Sequence, residues 1–80
     1  MAWIVYVLKC SDGTLYTGIT NNLKSRITAH QNGEGAKYTR GRAPFLIFYK
    51  EKCKSRSIAS KREIEIKKLK REQKLKLKSI

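Results

Sequence analysis

Acidic residues are scarce in this chain, with six Asp and Glu against 19 Lys and Arg, a net charge of +13 over 80 residues. That shortage bounds any metal chemistry. A two-metal hydrolase needs several carboxylates gathered within a few ångströms. Here Asp12 stands in turn sequence, Glu34 between glycines and Glu72 in a basic helical stretch, which leaves Glu51, Glu63 and Glu65 as single, scattered candidates. Metal catalysis would rest on one carboxylate, waters and substrate phosphate oxygens, a donor set that suits Mg²⁺. Cysteine is nearly absent too. Cys10 and Cys53 have no CxxC partner, and the single histidine stands at no zinc-ligand spacing, which argues against structural zinc and a dithiol redox motif. Both thiols are expected to sit reduced at strand ends. No apolar run approaches the roughly 20 residues that span a bilayer. The N-terminus lacks the charged start and small-residue cleavage site of a signal peptide, so a cytoplasmic protein without a membrane partner is expected.

What is abundant is positive charge, densest over residues 50–80. Such a field favours polyanions, nucleic acid above all, with salt-sensitive affinity. A ribosomal or membrane-surface protein would share it, so the charge names a partner class and not an activity. The length allows one domain, residues 1–80, with a small core. There is no repeat or linker, and nothing calls for an obligate protein partner.

Residues 2–9 are mostly β-branched and aromatic, which predicts a central strand covered on both faces. Asp12-Gly13 supplies hairpin chemistry, and residues 15–19 read as a second, antiparallel strand. Thr20-Asn21-Asn22 offers helix caps for residues 22–31, and Asn32-Gly33-Glu34-Gly35 stops that helix. Residues 36–44 form a cationic loop, and Phe45 to Glu51 a third strand with Pro44 at its entrance. From Ser55 or Ser57 onward the pattern is helical, with Ile58, Ala59, Ile66 and Leu69 on the apolar face. Beyond Lys70 the chain reads as a short last helix or a frayed tail. The expected class is α/β of the α+β kind: a small three-stranded, mostly antiparallel sheet flanked by helices in the order β-β-α-β-α, with or without one more α.

Several residues could carry chemistry. Tyr6 and Tyr16 lie on the two hairpin strands, and Arg26 and His30 form an i, i+4 pair beside the apolar Leu23 and Ile27. On the last long helix Glu63 falls at one edge of the apolar face and Glu65 at the other, and periodicity does not choose between them. Lys37, Arg40 and Arg42 surround Tyr38, a basic patch with one aromatic that could stack on a base.

These residues together resemble the GIY-YIG nuclease domain, in particular its small stand-alone bacterial members. Ile4-Val5-Tyr6 is similar to the first motif and Tyr16-Thr17-Gly18 to the second. Arg26 and His30 match the helix motif, Glu63 matches the metal-binding glutamate, and Ala36-Lys37-Tyr38-Thr39-Arg40 resembles a segment of the stand-alone proteins. The resemblance covers nearly the whole chain. It implies a DNA endonuclease that hydrolyses phosphodiesters with one Mg²⁺ or Mn²⁺ and little base specificity. Tyr6 or Tyr16 would accept a proton from the attacking water, given positive charge to favour the phenolate. Arg26 would clamp a phosphate oxygen, His30 hold a tyrosine hydroxyl, and Glu63 hold the metal. Gly18 would permit a close backbone approach at the end of the second strand. Ile4, Val5 and Thr17 depart from the motifs at strand positions. The asparagine that many members carry after the glutamate helix is missing, with Gln73 the nearest substitute. That absence supports an alternative: a catalytically weak or inactive nucleic-acid-binding module with the same fold.

Overall fold

The computed structural model describes residues 2–34, 41 and 43–77. Strands β1 (Trp3–Lys9), β2 (Leu15–Thr20) and β3 (Leu46–Cys53) form one sheet in the order β2-β1-β3, both pairings antiparallel. Helices α1 (Leu23–Gln31), α2 (Arg56–Lys67) and α3 (Arg71–Leu75) complete the expected β-β-α-β-α-α order.

β1 is covered on both faces, and the strand's period of two divides its side chains between two small cores. Tyr6, Leu8, Cys10 and Phe45 pack with Leu23 and Ile27 on the α1 side. Val5, Val7, Tyr49 and Cys53 pack with Ala59, Ile66 and Leu77 on the α2 side. Each aliphatic side chain fully buried in this way stabilises by about 1.5–3 kcal/mol. Both cysteines are free and buried at strand ends.

Local chemistry sets the joints. At the hairpin, Asp12 Oδ1 accepts from the Thr14 N–H at 3.1 Å and from its hydroxyl at 2.6 Å, while Gly13 takes φ +84°. Asn22 caps α1 by accepting from the Ser25 N–H. At the far end Gly33 takes φ +76°, with its N–H bonded to His30 O and the Glu34 N–H bonded to Ala29 O. That pair of bonds is a Schellman closure, which satisfies carbonyls the helix leaves open. Gly35 lies outside the described residues.

Two expectations need correction. The third strand starts at Leu46 and runs to Cys53, with Phe45 buried just before it. Val7 faces Tyr49 but Leu8 faces Ile47, so Phe48 is an extra residue in a bulge. On α2, Ile58 is 48% exposed and Leu69 lies past the helix end. The stripe turned towards the sheet is Ala59, Arg62, Glu63 and Ile66, buried or half-buried at helical spacing. A polar pair explains the rotation, since Arg62 Nε donates to both carboxylate oxygens of Glu51 on β3, at 3.2 and 3.1 Å. Tyr49 donates to the same carboxylate at 2.6 Å.

Candidate active site

Tyr6 occupies the middle of β1 and is 0% exposed. Its Cα partner on β2 is Gly18. A Cβ on residue 18 would lie 2.6 Å from Tyr6 Oη, 2.7 Å from its Cζ and 3.1 Å from Tyr16 Cε2. Real Cβ contacts do not come that close, so the missing side chain is the space the Tyr6 ring fills. This corrects the expectation for Gly18: it lies within β2, not at its end, and what approaches it is a phenol ring.

The four-residue spacing on α1 carries Arg26 and His30 to that phenol. His30 is 1% exposed, with Nε2 at 2.9 Å from Tyr6 Oη. Arg26 Nε donates to the same oxygen at 3.4 Å. A guanidinium has no acceptor, so the Tyr6 oxygen accepts from Arg26, while it shares a single proton with His30 Nε2 in a direction set by the histidine tautomer. Burial first, and then the Arg26 charge, hold His30 below its ordinary pKa of 6.5, so the ring is neutral at pH 7. Three rings surround it edge-on: Tyr16 at 5.4 Å, Tyr6 at 5.9 Å and Phe45 at 6.0 Å between centroids. In the sequence Phe45 reads only as the first residue of a strand, and its place after Pro44 is the sole signal of a packing role.

The electrostatics of Tyr6 depart from expectation. Burial pushes its pKa above 10.0, the Arg26 hydrogen bond opposes that only in part, and Tyr16 and Glu63 add to the rise. Nearby cations were expected to favour a phenolate, but at Tyr6 desolvation prevails. Arg26 is held in its charged form mainly by the hydrogen bond to Tyr6, with a smaller hydrogen-bond contribution from Tyr16. Tyr16 is only half-buried. A cleft of about 220 Å³, lined by Thr20, Asn21, Asn22, Ser25, Arg26 and Ala29, opens beside the arginine.

The three carboxylates left open by the sequence separate. Glu51 is engaged by Arg62 and Tyr49, and Glu65 is exposed with an Arg62 contact at 3.3 Å. Glu63 is half-buried and 3.4 Å from Lys67 Nζ, and its charge makes the smallest of the contributions to the Tyr6 pKa. Among the described residues no group of three or more His, Cys, Asp or Glu could hold a metal. Glu63 therefore fits only an ion that keeps most of its waters, as Mg²⁺ does. Gln73, the nearest substitute for the late asparagine, accepts from the Lys70 N–H at 2.9 Å and so caps α3. Lys37, Tyr38, Arg40 and Arg42, expected to contact nucleic acid, lie outside the described residues.

A hairpin with paired tyrosines, an Arg–His helix and a glutamate on the helix behind the sheet define the class. The chain belongs to the GIY-YIG family, whose catalytic-domain model matches residues 2–76. Within it the chain is similar to the UPF0213 proteins. It is 59% identical to the one from Clostridium perfringens over 73 residues, which are 91% of this chain and 78% of that protein. It is 56% identical to the one from Desulfotalea psychrophila over 69 residues, 85% of this chain. The match spans 63% of the Desulfotalea protein's length. Two solution NMR structures share the fold at 44% identity. The UPF0213 protein BH0048 from Bacillus halodurans has a TM-score of 0.58 over 92% of this chain and 79% of its own. The protein EF2693 from E. faecalis has 0.67 over 94% and 80%.

Proposed function

We propose that the chain is a divalent-metal-dependent endonuclease that hydrolyses phosphodiester bonds of DNA. The observation that carries this reading is Arg26: its guanidinium is hydrogen-bonded to the buried Tyr6 hydroxyl and borders an open cleft.

Arg26 spends its Nε on Tyr6 and has further N–H groups to offer a phosphate in the cleft, where they meet the charge that grows on the non-bridging oxygens. Tyr6 is too buried to touch water. It fixes the arginine and is in turn fixed by neutral His30. Tyr16, half-buried beside the same arginine, orients the attacking water and, in its phenolate form, takes the water's proton. Glu63 would hold Mg²⁺ or Mn²⁺, which supplies Lewis-acid stabilisation of the leaving oxygen when bound. The net charge of +13 supplies binding to phosphates and little base selection.

The test is a nicking assay on supercoiled plasmid, flap and branched DNA with Mg²⁺ or Mn²⁺. Wild type should cut, and Arg26→Ala and Glu63→Ala should lose cutting while remaining folded.

A second reading, a nucleic-acid-binding module without turnover, is favoured by the Glu63–Lys67 ion pair and by the engagement of Gln73 in a helix cap. It predicts DNA binding with no cleavage on any of the three substrates.

A further inference from the structure

The order β2-β1-β3 leaves β3 at an edge of the sheet. Along its α1 side run Ile47, opposite Leu8, then Lys50 and Lys52, opposite Tyr6 and Ile4. Two hollows follow this line. One of about 410 Å³ is bounded by Ile4, Leu23, Lys50, Glu51 and Lys52, the Glu51 carboxylate being paired with Arg62 of α2. The other, of about 510 Å³, is bounded by Leu23, Ile27 and Ile47 with Lys24 and Thr28. Leu23 belongs to both, so they adjoin along one groove line, with Ile4, Leu23, Ile27 and Ile47 as apolar lining and Lys24, Lys50 and Lys52 as its cations. Helix α1 separates this groove from the candidate active site. At 100° per residue Lys24 and Thr28 fall on one flank of the helix, and Arg26 and Ala29 on the other.

We propose that this groove and the edge of β3 dock an extended, acidic segment of a partner protein, which adds a fourth strand to the sheet. Three observations select that occupant. First, an edge strand presents backbone N–H and C=O groups that another polypeptide can pair with, and β3 also exposes Leu46 (69%) and Ile47 (47%). Second, the charge selects an acidic segment. A second copy of this chain would set its own Lys50 and Lys52 beside theirs in a molecule of net charge +13, whereas acidic side chains complement those lysines. Third, none of the described lining residues is aromatic, so the groove lacks the stacking platform that single-stranded nucleic acid uses. On an added strand, side chains two apart share a face, so an apolar residue enters the hollow while the acid two positions on meets a lysine. The proposal does not depend on the nuclease reading, because it concerns the opposite flank of α1.

The probe is a capped peptide of sequence Val-Thr-Glu-Thr-Val-Thr-Glu, titrated into isotope-labelled protein and followed by NMR. Its binding should move the β3 amides and the Leu23 and Ile27 methyls, slow amide exchange along β3, and weaken as salt rises. Ile47→Lys and the double variant Lys50→Glu, Lys52→Glu change exposed side chains, so folding should be kept while affinity falls about tenfold or more. The same peptide with lysine in place of glutamate should not bind. Absence of shifts along β3, shifts confined to the Arg26 cleft, equal binding of the lysine peptide, or displacement of the peptide by oligo-dT would each overturn the proposal. So would β3 shifts that depend on protein concentration alone.

Discussion

At residue 18 the chain has almost no freedom. A methyl there meets the Tyr6 ring, which is fully buried and tied to His30 and Arg26, so the ring has nowhere to retreat. Gly18→Ala should cost about 1–3 kcal/mol, as overpacking of a filled core does, read as a lower urea midpoint. Tyr6→Phe keeps the shape but takes the hydroxyl from His30 Nε2. It should cost a similar amount, about 1–3 kcal/mol, by leaving the buried imidazole nitrogen without that partner. The single histidine also allows a clean titration. His30 has a lowered pKa in the fold, so below pH 6.5 the unfolded chain binds a proton that the folded chain refuses. Its contribution to stability is thus present above pH 6.5 and lost as pH falls through the lowered folded value. The NMR signal of the His30 ring should titrate with a midpoint below 6.5; a midpoint at or above 6.5 would contradict the assigned neutral ring.

Among the elements, the hairpin and α1 were legible because their signals are local. Asp12-Gly13, the Asn22 cap and the Gly33 stop each act within a few residues, and the structure uses all three. Helix α2 was less legible. Its apolar residues alone put Ile58 on the buried face, but the Arg62–Glu51 pair joins residues on different elements, and it turns Ala59, Glu63 and Ile66 towards the sheet. A long-range polar contact leaves no periodic trace in the sequence. Two substitutions separate the faces. Ile66→Ala should cost about 2–5 kcal/mol, while Ile58→Ala, at an exposed position, should stay within about 0.5 kcal/mol of wild type, both by chemical denaturation. The same rotation separates the half-buried Glu63 from the exposed Glu65, two positions that periodicity left equivalent.

For the molecule as a whole, a core of this size has room for few buried polar groups, and His30 and the Tyr6 hydroxyl take part of that room. Three elements, β1, β2 and α1, bring Tyr6, Tyr16, Arg26 and His30 together, and Glu63 stands on a fourth, α2. The residue types were readable from their spacing. Their division of labour was not, because which tyrosine is sealed and which meets solvent depends on burial: Tyr6 is enclosed by Gly18, His30 and α1, and Tyr16 is half-buried. If this cluster cuts DNA with help from a cation held at Glu63, wild type and Glu63→Gln must differ in a time course of supercoiled-plasmid nicking run with and without Mg²⁺, alongside DNA affinity at the same salt. Wild type should nick only with Mg²⁺, Glu63→Gln should be slower by at least about a hundredfold, on the order expected for removal of one transition-state contact, and DNA affinity should be unchanged. Equal nicking by the two proteins, or DNA binding without metal-dependent nicking by wild type, would rule that role of Glu63 out.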